Sequence, residues 1–231
     1  MFKINIVTMF PDAFPGMLDI SILGRARREK IWELNTTDIK LFSDKKGNID
    51  DAPFGGGPGM IIRPDVLQRS FDSAIKTFNK KIVNNVEKIM LTPNGEKLNQ
   101  ETVEEFSNKK GMLIVCGRYE GVDERFIEAN SLRKISVGNY VLSGGEAAAV
   151  ILAESVIRLL PNVLGNSNSK TQESFNDGLL EYPQYTRPSK WNGIRVPKVL
   201  LSGNHKLINQ WRQKMSHEIT NNRIKNNKKK L

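Results

Sequence analysis

The sequence is poor in the residues that build covalent or metal-held scaffolds. Its 231 residues include one cysteine, Cys116, and two histidines, His205 and His217. A single thiol excludes a disulfide framework and a cysteine metal cluster, and two histidines are too few for a histidine-rich metal site. The fold must therefore rest on hydrophobic burial, and a 39% hydrophobic content is enough for one large domain or two small ones.

Long apolar runs are also missing, and none reaches the length of a membrane span. The first 14 residues are apolar, but they contain no cleavage site and soon meet Asp12. They therefore predict a first strand and not a signal peptide. We expect a cytoplasmic protein without a membrane partner.

Acidic residues are scarce in the last third of the chain. Residues 1–160 hold 22 Lys and Arg against 21 Asp and Glu, a net charge of +1, whereas residues 161–231 hold 13 against 4, a net charge of +9. This asymmetry indicates a polyanionic partner, most simply a nucleic acid. The alternative is a solvated basic tail, because Arg223–Lys230 alone carries five positive charges.

The first 160 residues alternate apolar extended segments with helical segments, which is typical of an α/β domain with a mostly parallel sheet. The extended segments are Ile4–Phe10, Trp32–Phe42, Val86–Leu91, Met112–Cys116 and Ile135–Leu142. The helical segments are Asp12–Lys30, Pro64–Phe78, Leu98–Phe106 and Ala147–Leu160. Cys116 ends its segment, and we interpret it as a small core residue.

Three of the extended segments end in turns that contain glycine or proline. Leu91 leads into Thr92–Gly95, Cys116 into Gly117–Gly121, and Leu142 into Ser143–Gly145. In parallel sheets, ligands bind at the carboxyl ends of the strands, so three such turns on one edge predict a pocket. The segment Ser136–Ala149 combines apolar residues that predict a place inside a core with a glycine bend and a helix start, so it predicts a site for a flat ligand held by backbone amides. A tight strand–helix turn without a ligand is the alternative.

A second glycine-rich stretch, Asp50–Met60, holds four glycines and two prolines and predicts a loop. The phosphate-loop pattern requires a Lys-Ser/Thr pair that is missing here, and the dinucleotide pattern lacks its last glycine and its preceding strand. The stretch is either a substrate-contacting loop or a flexible surface loop.

A polar stretch at 161–172 predicts a flexible linker between a first domain, 1–160, and a second, 173–231. The second domain shows little strand pattern beyond a short extended piece at Val196–Leu201. A helix is predicted to begin at Gly203–His205 and to run through Trp211 to about His217.

Five motifs occur in order over most of the chain: GGGPGM (Gly55–Met60), IVCGRYEGVDER (Ile114–Arg125), SVGNYVLSGGE (Ser136–Glu146), LLEYPQYTRP (Leu179–Pro188) and VLLSGNH (Val199–His205). Together they resemble the bacterial tRNA (guanine-N1)-methyltransferase family, which modifies guanine 37 beside the anticodon. The resemblance implies an α/β fold of the SPOUT type, a parallel sheet with a C-terminal deep trefoil knot, and a small, mainly helical C-terminal domain. It further implies S-adenosylmethionine as cofactor, Mg²⁺ in catalysis, tRNA with G37 as substrate, and a homodimer with shared active sites.

The resemblance also carries site residues. It assigns the cofactor to knot loops that contain Leu91, Pro93, Gly117, Tyr119, Glu120, Val137, Gly138, Asn139, Tyr140, Val141, Leu142, Gly144 and Gly145. Glu120 matches the acidic residue near the methionine moiety, although pairing with Arg118 or Arg125 is an alternative role. Arg158 matches the catalytic arginine that would stabilise negative charge on guanine O6, and a helix-surface arginine is its alternative.

Glu173 stands where the family usually has its catalytic aspartate, and Asp177 is the second candidate for the base, or a turn-forming Asp-Gly. Other departures are Phe54 for a common tyrosine, Ala147-Ala148 for a usual Leu-Pro, and a short C-terminal domain. Two rival functions stay open at this point. One is a ribose 2′-O-methyltransferase of the same fold, and the other is a non-catalytic RNA-binding protein.

Overall fold

The structure of the chain is a computed structural model that describes residues 1–164, 174–175 and 178–228, with residues 227 and 228 described by their backbone alone. It divides into two compact units, Met1–Gly165 and Asn166–Leu231. The predicted linker, 161–172, therefore lies outside the described residues from residue 165 onward.

The first unit alternates strands and helices along the chain. Its strands are β1 (Phe2–Thr8), β2 (Trp32–Asp38), β3 (Asp50–Asp51), β4 (Ile61–Ile62), β5 (Val86–Lys97), β6 (Gly111–Cys116) and β7 (Arg133–Ser136). Its α-helices are α1 (Ser21–Arg28), α2 (Pro64–Ile75), α3 (Gln100–Ser107), α4 (Glu124–Ala129) and α5 (Gly145–Ile157).

Five of these strands form a parallel sheet in the order β2-β1-β6-β5-β7. Side chains alternate between the faces of a strand, so β1 sends Ile4 and Ile6 to one core and Val7 to the other. Buried residues of α1, α3 and α5 pack on the first face, and those of α2 and α4 pack on the second. The predicted α/β class with a parallel sheet is confirmed.

Several predicted boundaries are wrong for local reasons. The segment predicted as one helix over Asp12–Lys30 begins with two short 3-10 turns, because Pro11 and Pro15 interrupt the amide donors, and α1 follows. Strand β2 ends at Asp38, whose carboxylate accepts a hydrogen bond from the Lys40 amide at 2.9 Å and starts a 3-10 turn. Helix α4 is absent from the sequence prediction.

The second unit contains a short hairpin and a long helix. Strands β8 (Lys190–Trp191) and β9 (Ile194–Arg195) form the hairpin, and α6 spans His205–Lys228. The extended piece predicted at Val196–Leu201 is instead a 3-10 turn at Lys198–Leu201. Helix α6 begins as predicted but continues well beyond His217. Within the described ranges, no helix is long and apolar enough to cross a membrane.

Candidate active site

The carboxyl ends of β6, β5 and β7 are neighbours in the sheet, and the segments that follow them enclose a cleft of about 410 Å³. All of the residues predicted to bind the cofactor line this cleft except Asn139, which is exposed beside it. The predicted cleft at one edge of the sheet is therefore present, but of its three segments only Gly117–Gly121 follows the end of a strand as predicted. Such an edge is where parallel α/β sheets place their ligands.

The first wall of the cleft is an excursion within β5. Leu91 and Glu96 both pair with Ile135 of β7, so residues 92–95 loop out and the strand then resumes to Lys97. The prediction that the turn at Thr92–Gly95 ends the strand is therefore wrong, because β5 continues after it. A Cβ atom at Gly95 would lie 2.5 Å from the Ile135 amide nitrogen, so glycine is needed where the strand rejoins its neighbour.

The second wall of the cleft is the turn Gly117–Gly121, and the third wall is formed by residues 137–144. This third segment turns away from the sheet where β7 ends at Ser136. The Ser136 hydroxyl donates to the Gly138 carbonyl at 3.1 Å, which turns the chain away from the strand direction. Tyr140, Val141 and Leu142 are consequently exposed, and the prediction that they sit inside a core is wrong. Their apolar surfaces face the cleft, where they can cover a flat ligand.

An ion pair between Arg118 and Glu146 connects this third wall to the second one. The Arg118 guanidinium lies 2.9 Å from the carboxylate of Glu146, which is 7% exposed, and Arg118 also donates to the Ser143 carbonyl at 3.2 Å. The Thr8 hydroxyl donates to the same carboxylate at 2.7 Å, and the Phe10 ring lies 4.4 Å from the guanidinium carbon. Arg118 therefore ties the second and third turns to the end of β1.

Sequence reasoning missed this pair, although one signal was present. Glu146 is an ionisable residue in an otherwise apolar helix start, GEAAAVILA, and a buried acid requires a partner. Beside it, burial first and the Glu146 charge second raise the pKa of the Cys116 thiol well above its usual value. Cys116 is therefore an inert core residue, as predicted.

The glycines of the cleft are packed against protein atoms. A Cβ atom at Gly144 would collide with the Arg118 side chain, and one at Gly117 would lie 2.9 Å from the Met90 methyl group. A Cβ atom at Gly145 would lie 2.8 Å from the Cys116 Cα atom. A larger residue at Gly145 would therefore meet backbone, whereas at Gly117 and Gly144 the Met90 and Arg118 side chains would have to move.

The glycine-rich loop adjoins the second turn. It connects β3 and β4, and its glycines 55, 56, 57 and 59 have positive φ angles, which favour glycine. The Glu120 amide donates to the Met60 carbonyl at 3.1 Å, and the Ile62 amide donates to the Gly121 carbonyl at 3.1 Å. These bonds fix the returning end of the loop beside Glu120, while Phe54 at its tip is 97% exposed.

Tyr119 links the cleft to the base of the same loop. Its backbone has a φ of +58°, which places the residue at a sharp bend. Desolvation raises the pKa of the Tyr119 hydroxyl, and the nearby Asp50 carboxylate raises it further. A hydrogen bond to the Asp50 side chain also raises the Tyr119 pKa, so the phenol is tied to β3 at the base of the loop.

Comparison with known proteins agrees with the motifs. A family model described as tRNA (Guanine-1)-methyltransferase TrmD matches residues 2–229. This chain belongs to that family. The family identified from the motifs is thus confirmed, and the match runs through both units.

Individual relatives share nearly half of their residues with the chain. A tRNA (guanine-N(1)-)-methyltransferase of Wolbachia pipientis wMel is 47% identical over 225 residues, which cover 96% of this chain and 93% of the relative. The enzyme of the same name from Chelativorans sp. (strain BNC1) is 47% identical over 223 residues with the same coverage. That of Ehrlichia canis (strain Jake) is 45% identical over 224 residues, covering 96% and 93%.

Unlike most of the predicted cofactor residues, none of the residues that the resemblance assigns to catalysis is among the described residues that line the cleft. Arg158 lies at the carboxyl end of α5, half-buried and away from the cleft that the start of α5 lines. Glu173 and Asp177 lie outside the described residues. Within residues 1–164, 174–175 and 178–226, no group of three or more His, Cys, Asp or Glu side chains is placed to hold a metal ion.

Proposed function

We propose that this chain transfers a methyl group from S-adenosylmethionine to N1 of guanine 37 in tRNA. The observation that supports this function is the cleft formed by three chain segments at one edge of the sheet, in a chain of the tRNA (guanine-1)-methyltransferase family. We further propose that it acts in the cytoplasm, where its tRNA substrate is. The trefoil knot implied by the family stays part of this proposal.

The cleft fits the proposed cofactor in size and chemistry. Its volume of about 410 Å³ lies in the range of small-molecule sites. Tyr140 and Leu142 offer apolar surfaces for the adenine, and the Glu120 carboxylate favours the positive sulfonium and ammonium groups. When bound, the cofactor supplies an electrophilic methyl group. The protein's own task is therefore to make guanine N1 a nucleophile.

Making N1 a nucleophile requires removal of its proton together with stabilisation of O6. We assign removal of the N1 proton to the carboxylate of Glu173, with Asp177 as the second candidate, because an ionised carboxylate accepts a proton at neutral pH. We assign O6 to the Arg158 guanidinium, which stabilises the charge that develops as the proton leaves. Mg²⁺ stays an expectation of the family resemblance, and no step is derived through it.

The position of Arg158 favours a homodimer with composite sites. Helix α5 has 13 residues, and a rise of about 1.5 Å per residue places Arg158 about 20 Å from Gly145 at the cleft. An arginine side chain does not span that distance. If Arg158 acts on guanine, it must therefore serve the cleft of a second chain.

A complementation experiment tests this arrangement. Leu142→Asp introduces a charge into the cleft at an exposed position, and Arg158→Ala removes the guanidinium. Mixed and exchanged chains should recover about a quarter of wild-type activity, since half of the dimers then hold one intact composite site. No recovery, despite subunit exchange shown by mass, would place Arg158 and the cleft of one site in the same chain.

The activity is tested with tRNA transcripts that carry G37 or A37. We expect N1-methylguanosine from the first transcript, identified by nucleoside mass and chromatography, and no product from the second. A 2′-O-methylated nucleoside, or cofactor binding without transfer, would contradict the proposed function.

A further inference from the structure

The hairpin of the second unit presents an uncovered aromatic face. Trp191 of β8 pairs with Ile194 of β9, and Lys190 pairs with Arg195. Residues that pair directly across two strands share a face, so Trp191 and Ile194 lie side by side and the two cations occupy the opposite face. Trp191 is 67% exposed and Ile194 is 71% exposed.

Turn geometry and backbone hydrogen bonds account for the formation of the hairpin, so packing of Trp191 and Ile194 is not needed for it. Asn192 and Gly193 at the turn have φ angles of +48° and +79°, the signs that a tight two-residue hairpin turn requires. The Val196 amide also donates to the Ser189 carbonyl at 3.0 Å and extends the ladder. Because Trp191 is largely exposed, its ring is available for an external contact.

The aromatic residues nearby differ from Trp191 in this respect. Tyr185 packs against Trp211 with ring centroids 6.2 Å apart, and the Arg212 guanidinium lies 4.8 Å from the Tyr182 ring. These rings join the segment that precedes the hairpin to α6. Trp32 is fully buried in the first unit, so Trp191 is the most exposed of the three tryptophans.

The charge around the hairpin identifies the chemistry of its partner. Residues 182–217 include seven Lys and Arg and no Asp or Glu. A segment of this kind attracts a polyanion and repels a second copy of itself. A surface that combines such charge with an exposed aromatic ring matches the features that proteins use to hold single-stranded RNA.

We propose that Trp191 stacks on a nucleobase of the bound tRNA, while Lys190 and Arg195 on the opposite face contact phosphates of the same tRNA. This inference rests on the proposed function, because the occupant is the tRNA substrate. It adds a recognition element in the second unit that is separate from the cleft. The stacking contact of Trp191 is not screened by salt, whereas the phosphate contacts of Lys190 and Arg195 are.

The test measures tRNA affinity and its salt dependence on the full chain. Trp191→Ala should weaken tRNA binding about 5- to 150-fold, the range expected for one lost base stack, and Trp191→Phe should restore most of it. The slope of log Kd against log salt should stay unchanged in Trp191→Ala. The variant with Lys190→Ala and Arg195→Ala should lower that slope by about two.

Leu41→Ala is the matched control, because Leu41 is 80% exposed in the first unit and equally apolar. It should bind tRNA like the wild type, and every variant should retain wild-type affinity for S-adenosylmethionine. In addition, tRNA should lower the tryptophan fluorescence of the wild type and reduce the quenching of that fluorescence by acrylamide. Both changes should be absent in Trp191→Phe.

The outcomes separate the inference from the function on which it rests. If the wild type methylates tRNA and Trp191→Ala binds it as tightly as Leu41→Ala does, the inference is wrong and the proposed function stands. If Trp191→Ala instead lowers the oligomer mass in sedimentation, the face contacts protein, and the inference is equally overturned. A wild type that neither binds nor methylates tRNA would refute both.

Discussion

The two units of this chain are built in opposite ways. The first buries apolar residues on both faces of its parallel sheet and has a net charge of +1 over residues 1–165. In the second unit, Ser216 alone is buried among residues 174–175 and 178–226, and residues 166–231 have a net charge of +9. Packing defines the first unit, and charge defines the second.

This difference indicates how the work is divided. A cleft held by a packed sheet and a buried ion pair keeps its shape, which a small cofactor requires. An exposed cationic surface gains affinity from many phosphates without a fixed shape. We therefore assign the small molecule to the first unit and most of the tRNA affinity to the second.

The largest effect is expected at the proposed base. Glu173→Gln should lower kcat about a hundredfold or more, because a carboxamide does not accept the N1 proton. Affinity for S-adenosylmethionine should barely change, and Glu173→Asp should retain substantial activity. Single-turnover methyl transfer with saturating tRNA measures the effect.

Asp177→Asn is the control for that experiment and should stay active. If Glu173→Gln is active and Asp177→Asn is dead, the base is Asp177 and the assignment of Glu173 is wrong.

The second effect concerns the ion pair between Arg118 and Glu146. Glu146→Gln leaves the Arg118 charge without its partner and should cost about 2 kcal/mol of unfolding free energy, less than in a fully buried pair because 25% of the Arg118 side chain is exposed. Equilibrium denaturation with urea measures this. Glu154→Gln, an exposed position on the same helix, is the matched control and should change little.

Replacing both partners sharpens the same point. Arg118→Met with Glu146→Leu should be more stable than Glu146→Gln alone, because no buried charge is then left unpaired. A Glu146→Gln protein as stable as the Glu154→Gln control would mean that the pair does not hold the cleft.

A smaller effect is expected at the second turn of the cleft. The Asp123 carboxylate accepts from the Arg125 amide at 3.0 Å at the start of α4, and Asp123→Ala should cost about 1 kcal/mol. Hydrogen bonding from the Arg125 side chain lowers the pKa of Asp123. A pKa that is lower in the folded state gives stability that is present above the unfolded-state pKa. That stability disappears as the pH falls through the folded-state value.

Denaturation of wild type and Asp123→Ala at neutral and at acidic pH checks this sign. The difference in unfolding free energy should shrink at acidic pH, and a difference that grows would contradict the assignment.

Sequence reasoning succeeded where a single local pattern determines the structure. The continuous apolar run of β6 predicts a strand buried on both faces, and the parallel sheet then brings three turns to one edge. Apolar composition misled at Tyr140–Leu142, because it does not distinguish a residue that packs in a core from one that lines a cleft. The local sequence indicates that Glu146 needs a partner, but the contact joins separate elements, so that pattern does not identify Arg118.

The end of α6 was missed for a different reason. Residues 218–228 contain only two apolar residues, Ile219 and Ile224, and their spacing of five lacks the apolar periodicity on which helix prediction depends. The hairpin at Lys190–Arg195 contains only two residues in each strand, which is too short for an alternating pattern to be detected.

The division of work between the units is tested most directly by titrating both ligands on the full chain at about 50 and about 200 mM salt. We expect tRNA affinity to fall by about a thousandfold, as for six or more phosphate contacts, and affinity for S-adenosylmethionine to change less than about twofold. A chain without residues 223–231, which include five Lys and Arg, should show weaker tRNA binding and a shallower salt slope. A tRNA affinity that is insensitive to salt, or a cofactor affinity that falls in parallel with it, would contradict the account.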